Sequence, residues 1–325
     1  MKESTDRRAF LQGLAVGAAA IGLPPITLAQ TQPRNKMTYT YKTVGSCAIK
    51  ADVYAAPDKV CPAVIWIHGG ALIMGHRGGI DQALLDKLLK AGYVVVSIDY
   101  RLAPETKLPA ILDDVKDACM WVREKGPDLF RADAKRIAVM GGSAGGYLTL
   151  TTGFLVEPRP SALVSFWGYG DIAGAWYSRP DPFYSQQPAV PKEEAYQAIG
   201  STVISESSGK NNRHRFYLYC RQNGLWPKEV TGHDPDKEPQ AFDPWCPARK
   251  VSAKYPPALL VHGTRDTDVP YEQSVMMEKE LARHGVEHEL LSVQDAGHGL
   301  AGAKPEVVAG IHDRALAFLQ KALRP

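Results

Sequence analysis

A serine flanked by glycines follows an apolar segment near the middle of the chain, and this feature constrains the fold most strongly. Residues 136–140, Arg-Ile-Ala-Val-Met, have the pattern of a short buried strand, and residues 147–152 have that of a helix start. Ser143 lies between them, with Gly141 two residues before it and Gly145 two residues after it. Glycines at these positions let a strand and a helix approach more closely than side chains allow. The sequence therefore predicts a tight strand-to-helix turn with Ser143 at its tip.

The same glycine-rich run has two alternative interpretations. It would also suit a flexible loop, or a phosphate-binding turn at the start of a helix. A phosphate-binding loop carries a lysine after its glycines, whereas Tyr147 follows here. Further matching segments elsewhere in the chain favour the strand-to-helix turn.

Strands and helices alternate along most of the chain. Period-two patterns at 37–42 and 48–54 predict an antiparallel hairpin around Gly45. Apolar runs typical of strands buried on both faces lie at 62–67, 93–98, 136–140, 161–166, 257–262 and 287–293. Helical spacing lies between them at 81–91, 111–124, 147–152, 271–284 and 307–322. This order predicts one α/β domain on a doubly wound, mostly parallel sheet.

One long segment interrupts this alternation. Residues 168–250 are rich in proline, tyrosine, tryptophan and charge, and contain only short helical patterns. Their number exceeds that of a simple connection between secondary-structure elements. Ligands bind above the carboxyl ends of the strands in such sheets, so we expect this insertion after the sixth strand to form a cap over Ser143.

The first 29 residues resemble a twin-arginine export signal. Arg7 and Arg8 precede a weakly hydrophobic, Ala/Gly-rich stretch, and small residues lead to Ala29. We expect cleavage near this point, a folded domain of residues 30–325, and a periplasmic or secreted protein. The stretch is too short and too glycine-rich to predict stable membrane insertion, and an uncleaved anchor is the alternative.

Charge and cysteine content limit the classes of partner and cofactor. A formal net charge of +3 favours neither nucleic acid nor a membrane surface as a partner. No Cys-x-x-Cys pair suggests a metal site, and we predict neither a metal nor an organic cofactor. Export would permit disulfides, and Cys220 and Cys246 are the pair expected to form if any does. The other cysteines are Cys47, Cys61 and Cys119.

Two segments near the C-terminus carry side chains that would activate a serine. A serine hydroxyl needs a base within hydrogen-bond distance and a third group that orients this base. His298 follows the last predicted strand in a glycine-flanked loop, and Asp266 and Asp268 follow the strand before it. We expect Ser143, His298 and Asp266 to act together, with Asp268 as the competing acid. His262, at the end of a strand, is expected to stabilise its loop by hydrogen bonding.

A glycine-containing loop follows the first long apolar strand. Residues 67–71 read Ile-His-Gly-Gly-Ala, and such a loop can aim backbone N–H groups at a developing oxyanion. We predict donors from Gly70 and Ala71, completed by the N–H of Ala144 after the serine. His68 is expected to stabilise this loop by hydrogen bonding.

These segments together resemble those of α/β-hydrolase carboxylesterases, in particular the hormone-sensitive-lipase-like and acetyl/feruloyl-esterase-like branches. Serine, aspartate and histidine follow one another in the order of that fold. The loop at 67–71 is similar to the His-Gly-Gly-Gly oxyanion motif of lipases and esterases, with Ala71 in place of the last glycine. Residues 97–105, Ser-Ile-Asp-Tyr-Arg-Leu-Ala-Pro-Glu, are similar to a segment that supports the site in these esterases.

Two departures place the chain nearer to the acetyl/feruloyl esterases. Gly142 precedes the serine where the lipase-like branch commonly has aspartate, and the long insertion follows the sixth strand instead of lying at the N-terminus. The resemblance implies a serine carboxylic-ester hydrolase that works through an acyl-enzyme without a cofactor. Its substrate would be a small-molecule or carbohydrate-linked ester, with a short-chain or aryl group.

The aromatic residues of the insertion have two interpretations. They would line a substrate pocket together with Arg213 and Arg215, or they would form the core of the insertion while these arginines solvate its surface. Trp167 and Tyr169, just beyond a strand end, are the best pocket candidates. The other aromatic residues concerned are Trp176, Tyr177, Phe183 and Tyr184.

Two other functions compete with ester hydrolysis. A prolyl-oligopeptidase-like peptidase has a similar catalytic domain but usually carries a propeller domain, for which this chain has no room. A non-catalytic hydrolase-fold binding protein typically lacks one of the three catalytic residues, whereas all three candidates are present here. The sequence leaves the natural ester and the oligomeric state open.

Overall fold

Eight strands form one sheet in the computed structural model, which describes residues 36–55, 59–207 and 213–324. The predicted export signal lies outside the described residues. The strands are β1 (Lys36–Val44), β2 (Cys47–Tyr54), β3 (Cys61–Ile67), β4 (Val94–Ile98), β5 (Ala132–Gly142), β6 (Ala162–Phe166), β7 (Ala258–Gly263) and β8 (His288–Val293). Their order across the sheet is β1-β2-β4-β3-β5-β6-β7-β8.

The sheet is antiparallel at one edge and parallel elsewhere. β1 and β2 form the predicted hairpin, and β2 pairs antiparallel with β4. The remaining neighbours, from β4 through β3 to β8, all pair in parallel. This topology confirms the predicted α/β-hydrolase fold. It also places the ends of β3 and β5 side by side, at the point where the strand order reverses and ligands bind in such sheets.

Helices cover both faces of this sheet. They are α1 (Gln82–Lys90), α2 (Leu108–Phe130), α3 (Ala144–Leu155), α4 (Ala175–Ser178), α5 (Lys192–Ala195), α6 (His214–Asn223), α7 (Trp226–Thr231), α8 (Glu272–Arg283) and α9 (Pro305–Ala322). Successive residues of a strand point to opposite faces of the sheet. Ile65 and Val139 pack towards the face covered by α2, α3 and α8. Val64 and Met140 pack towards the other face, which α1 and α9 cover. Both groups of side chains are fully buried.

Helix α2 extends beyond the predicted 111–124 at both ends. It includes Gly126 and Pro127, although both residues disfavour a helix interior. In the structure a β-carbon on Gly126 would lie 2.8 Å from the Phe130 ring and 3.0 Å from the β-carbon of Ala132, so a larger residue there would displace the Phe130 ring.

The insertion contributes α4 to α7 and a buried aromatic core. Tyr177 stacks on Trp226 with ring centroids 3.9 Å apart, and Trp176 stacks on Tyr177 at 3.8 Å. Trp226 Nε1 donates a hydrogen bond to the carbonyl of Ala71 (2.8 Å), which joins α7 to the loop after β3. The prediction that these aromatic residues form the core of the insertion is confirmed for Tyr177 and Tyr184, whereas Phe183 is exposed.

Buried ion pairs connect the segment after β4 to the rest of the fold. Arg213 binds Glu105 at 2.6 Å, and each side chain is 2% exposed, so Arg213 does not solvate the surface as one interpretation expected. Arg215 does lie at the surface, paired with Glu194. Arg101 binds Asp114 at 2.7 Å in the same supporting region.

The five cysteines all have free thiols, so the candidate pair Cys220 and Cys246 is not bonded. Within the described residues no helix is long and apolar enough to cross a membrane, and no cluster of side chains has the composition of a metal site.

Candidate active site

Ser143 occupies the predicted turn between β5 and α3. Its backbone has a φ of 56°, a left-handed conformation that non-glycine residues rarely adopt. A β-carbon on Gly141 would lie 2.5 Å from the carbonyl oxygen of Ile67, and one on Gly145 would lie 2.0 Å from the same oxygen. Both glycines are therefore required where α3 and β5 meet the end of β3.

Three side chains from three separate loops form a chain of hydrogen bonds. His298 Nε2 lies 3.1 Å from Ser143 Oγ. On the other side of the ring, His298 Nδ1 lies 2.8 Å from Asp266 Oδ2. The serine follows β5, the aspartate follows β7 and the histidine follows β8, so the parallel sheet brings all three to one edge.

Asp266 is buried and held in a single orientation. Its side chain is fully inaccessible, and its Oδ1 accepts hydrogen bonds from the backbone N–H groups of Asp268 (2.8 Å) and Val269 (2.9 Å). His262 Nε2 lies 3.2 Å from its Oδ2. Burial alone would raise the pKa of Asp266, but the hydrogen bonds from His262 and His298 outweigh it and hold the pKa well below its usual range. The group is thus a permanent carboxylate.

His298 is a stronger base than an ordinary histidine. Burial lowers its pKa, but the hydrogen bond to Asp266 and the negative charges of Asp268 and Asp266 raise the pKa above 6.5, against a smaller opposing effect of Arg221. The ring would therefore stabilise a proton transferred from a neighbouring hydroxyl group.

Asp268, the competing acid, meets the other nitrogen of the imidazole. Its Oδ2 lies 3.5 Å from His298 Nε2, the nitrogen that faces Ser143. Asp266 is the carboxylate that contacts Nδ1 and can hold the ring for proton transfer. The geometry therefore favours Asp266 as the orienting acid and gives Asp268 a different environment.

The loop after β3 lies against the serine. A β-carbon on Gly69 would lie 3.2 Å from the β-carbon of Ser143. Gly70, Ala71 and Leu72 all have positive φ values. The carbonyl of Gly70 accepts hydrogen bonds from the N–H groups of Ile73 and Met74, three and four residues further on.

Two further groups maintain this arrangement. The His68 ring stacks on Tyr100 and its Nδ1 lies 2.7 Å from the carbonyl of Gly69, as a loop-stabilising histidine should. Burial lowers the pKa of His68 to about 4, so the ring is neutral. Ala144 is the first residue of α3, where a backbone N–H has no acceptor within the helix.

The two aromatic pocket candidates lie in different environments. Trp167 is partly exposed and its ring meets His298 edge-on at 6.3 Å. Tyr169 is fully buried, stacked on Tyr147 at 4.8 Å and surrounded by the aromatic core of the insertion. The structure therefore corrects the prediction for Tyr169, because a side chain enclosed by other rings has no surface for a substrate.

Comparison with known families decides the relationship that the sequence suggested. The model of the BD-FAE family matches residues 51–281, which include the serine loop and the loop after β7. The chain belongs to the BD-FAE family. Residues 239–325 of this BD-FAE chain also match the model of the TAP-like proteins.

Several characterised proteins are similar to this BD-FAE chain. The non-reducing polyketide synthase adrD of Penicillium rubens is 29% identical over 329 residues, which cover 86% of this chain and 13% of that protein. Esterase LipC of Mycobacterium tuberculosis is 29% identical over 249 residues, covering 75% of this chain and 54% of LipC. The carboxylesterase EstE1, cloned from a metagenomic library, superposes with a TM-score of 0.62 at 24% identity, over 86% of each chain. The predicted relationship to α/β-hydrolase carboxylesterases is confirmed.

One part of the site of this BD-FAE chain was not predicted. Arg221, in α6 of the insertion, is almost fully buried and donates to Asp268 Oδ1 (2.8 Å) and Asp181 Oδ2 (2.5 Å). No periodicity or motif singles out Arg221, because its two partners lie 40 and 47 residues away in the sequence.

Proposed function

We propose that this chain is a serine carboxylic-ester hydrolase in which Ser143 is the nucleophile, His298 the general base and acid, and Asp266 the group that orients the histidine. The observation that carries the proposal is the continuous hydrogen-bond chain from Ser143 Oγ through both ring nitrogens of His298 to Asp266. It has the geometry that proton transfer from a serine requires.

The reaction proceeds in two halves. Ser143 Oγ attacks the ester carbonyl carbon while its proton moves to His298 Nε2, and the resulting imidazolium protonates the departing alcohol oxygen. A water molecule then gives a proton to the same nitrogen and attacks the acyl-enzyme, which releases the acid and restores Ser143. Asp266 stays ionised throughout and holds Nδ1–H.

Backbone N–H groups of Gly70, Ala71 and Ala144 stabilise the oxyanion in this proposal. The contact between the Gly69 backbone and Ser143, and the position of Ala144 at the start of α3, support it. Each such donor lowers the barrier by about 3 kcal/mol.

We assign the substrate to short-chain, aryl or carbohydrate-linked esters, with residues 168–250 acting as a cap on the domain formed by residues 30–325. Trp167 lies beside His298 and would contact the ester. The hydrogen bond from Trp226 to Ala71 supports a cap that shapes the pocket from above.

Labelling and turnover test this function together. The purified protein should react with a fluorophosphonate probe, and peptide mapping should place the label on Ser143. It should hydrolyse p-nitrophenyl acetate but not a prolyl anilide, and Ser143→Ala should abolish both labelling and turnover. Failure of wild-type labelling would favour a non-catalytic binding protein, and cleavage of the anilide would favour the peptidase.

We further propose that the chain is exported to the periplasm or secreted. The paired Arg7 and Arg8 before an Ala/Gly-rich stretch support this proposal. Cell fractionation should find the protein outside the cytoplasm, with a mature N-terminus near Gln30 by mass spectrometry. The double change Arg7→Lys and Arg8→Lys should retain it in the cytoplasm, and equal export of both forms would contradict the proposal.

A further inference from the structure

The carboxylate of Asp268 is fixed beside the site by groups of the insertion. Its Oδ1 accepts hydrogen bonds from the Tyr217 hydroxyl (2.5 Å) and from Arg221 Nη1 (2.8 Å). The same guanidinium nitrogen donates to the backbone carbonyl of Asp268 (2.9 Å), and the Tyr184 hydroxyl also faces the carboxylate. Because side chain and backbone are held by one arginine, the carboxylate keeps one orientation.

The other oxygen of this carboxylate faces the reacting groups. Asp268 Oδ2 lies 3.5 Å from His298 Nε2, which itself lies 3.1 Å from Ser143 Oγ. The Asp268 side chain is 17% exposed, so a bound substrate can reach it. A carboxylate oxygen accepts more than one hydrogen bond, and Oδ2 is therefore available to a ligand.

The proposed mechanism determines which half of an ester lies next to this oxygen. His298 protonates the alcohol oxygen from Nε2, so that oxygen must come within hydrogen-bond distance of Nε2. The alcohol oxygen and Asp268 Oδ2 then both lie next to His298 Nε2. The first carbons of the alcohol therefore lie beside the carboxylate. A hydrogen-bond donor on those carbons is stabilised there, whereas a leaving group that develops negative charge is repelled.

We propose that Asp268 is a specificity-determining residue, which selects esters whose alcohol carries a hydroxyl group separated from the scissile oxygen by two carbons. The inference rests on the proposed ester hydrolysis. A neutral hydroxyl is sufficient as the donor, because the guanidinium of Arg221 lies 2.8 Å from the carboxylate and already supplies a positive partner.

A set of acetate esters tests the preference in the wild-type enzyme. 2-Hydroxyethyl acetate and propyl acetate have the same number of heavy atoms and differ only in a hydroxyl or a methyl group. We expect about tenfold higher kcat/KM for the hydroxyethyl ester, after normalisation to the hydroxide-catalysed rates, because the hydroxyl donates to a charged acceptor. The 2-methoxyethyl ester, which lacks the donor, should not exceed the propyl ester.

The other possible outcomes separate a failure of this inference from a failure of the proposed ester hydrolysis. Equal kcat/KM for the hydroxyethyl and propyl esters would overturn the inference, as would a preference for the cationic 2-(dimethylamino)ethyl ester over the hydroxyethyl ester. Absence of turnover of every ester, together with absence of fluorophosphonate labelling, would instead refute the proposed function.

Two matched variants locate the effect at Asp268. In Asp268→Asn the amide oxygen should face Tyr217 and Arg221, which are donors, so an amide N–H would replace the acceptor beside His298. The hydroxyethyl-to-propyl ratio should fall to about one, and this ratio is the readout because it compares two esters in the same variant. Asp181→Asn removes the other carboxylate bound to Arg221 and should keep the wild-type ratio.

An unchanged ratio in Asp268→Asn, or an equal loss in Asp181→Asn, would contradict the assignment. Circular dichroism and thermal melting check that both variants fold. If Asp268→Asn does not fold, the wild-type ester ratios decide the question.

Discussion

At the scale of single residues, the two carboxylates after β7 differ in the imidazole nitrogen that they meet. Asp266 contacts Nδ1 of His298 and is fully buried, whereas Asp268 faces Nε2 and is partly exposed. The proposed roles follow from this difference, since only a group at Nδ1 can hold the ring while Nε2 exchanges a proton.

Substitution of each aspartate separates these roles. Asp266→Asn should lower kcat for p-nitrophenyl acetate on the order of ten-thousand-fold, because an amide at Nδ1 stabilises the wrong tautomer of His298. Asp268→Asn should lower kcat for this ester by no more than about tenfold, because it removes one charge near His298 but leaves Asp266 in place at Nδ1. Steady-state kinetics on the two purified variants measures both effects, and equal or inverted losses would reassign the acid.

The pH dependence of activity reports the proton affinity of His298. The histidine must be neutral to accept a proton, so kcat/KM should fall as the pH decreases through the pKa of His298, which lies above 6.5. Asp266, Asp268 and Arg221 are the charged groups that act on it, and the two carboxylates raise its pKa.

Asp268→Asn removes one of these negative charges and should lower that pKa. The acid limb of the profile, measured with phenyl acetate, should move to lower pH by roughly one pH unit. An acid limb that stays in place, or moves to higher pH, would show that Asp268 does not act on the imidazole.

At the scale of secondary-structure elements, the site depends on how closely α3 and β5 meet the end of β3. Gly141 and Gly145 are the residues that permit this approach, and both were recognisable from sequence because their spacing around Ser143 has a steric reason. The loops after β7 and β8 were located by the same alternation of elements. The alternation of elements does not distinguish Asp266 from Asp268; the sequence favoured Asp266, and the conformation of the loop separates the two side chains.

Two glycine-to-alanine changes compare a constrained helix position with an open one. A β-carbon at Gly145 would lie 2.0 Å from the carbonyl of Ile67, so Gly145→Ala should displace α3 and abolish activity with a lower melting temperature. Gly310, in α9, has open space at the same position. Gly310→Ala should stabilise the protein by about 0.5 to 1 kcal/mol without loss of activity, as thermal denaturation and ester hydrolysis would show. Wild-type activity in Gly145→Ala would refute the close approach.

At the scale of the whole molecule, the insertion and the sheet domain are joined by buried polar contacts that lie far apart in sequence. Arg213 meets Glu105 across 108 residues, and Arg221 meets Asp268 across 47. Apolar periodicity predicted the sheet because it repeats locally, but nothing local specifies such pairs. The wrong prediction for Tyr169 has the same cause. Its position beyond a strand end suggested a pocket, but residues of the insertion that are distant in sequence enclose the side chain.

The ion pair of Arg213 and Glu105 offers a test of how strongly the insertion is joined to the fold. Arg213→Met leaves Glu105 as an unpaired carboxylate at 2% exposure, which should lower the free energy of unfolding by about 3 to 5 kcal/mol. Arg213 also donates to the backbone carbonyl of Ala103 (3.0 Å), and that acceptor loses its partner as well. Urea denaturation followed by tryptophan fluorescence measures the loss.

Arg215→Met is the matched control, because it removes the same type of side chain two residues away. Its partner Glu194 is 41% exposed, and solvent replaces the lost ion pair at such a site. The urea midpoint should therefore stay close to that of the wild type.

The double variant Arg213→Met, Glu105→Gln tests the cause of the loss. Glu105→Gln neutralises the buried carboxylate and should restore part of the stability lost in Arg213→Met, since an amide costs less to bury than an unpaired charge. Equal midpoints for the two arginine variants, or no recovery in the double variant, would show that buried charge does not hold the insertion in place.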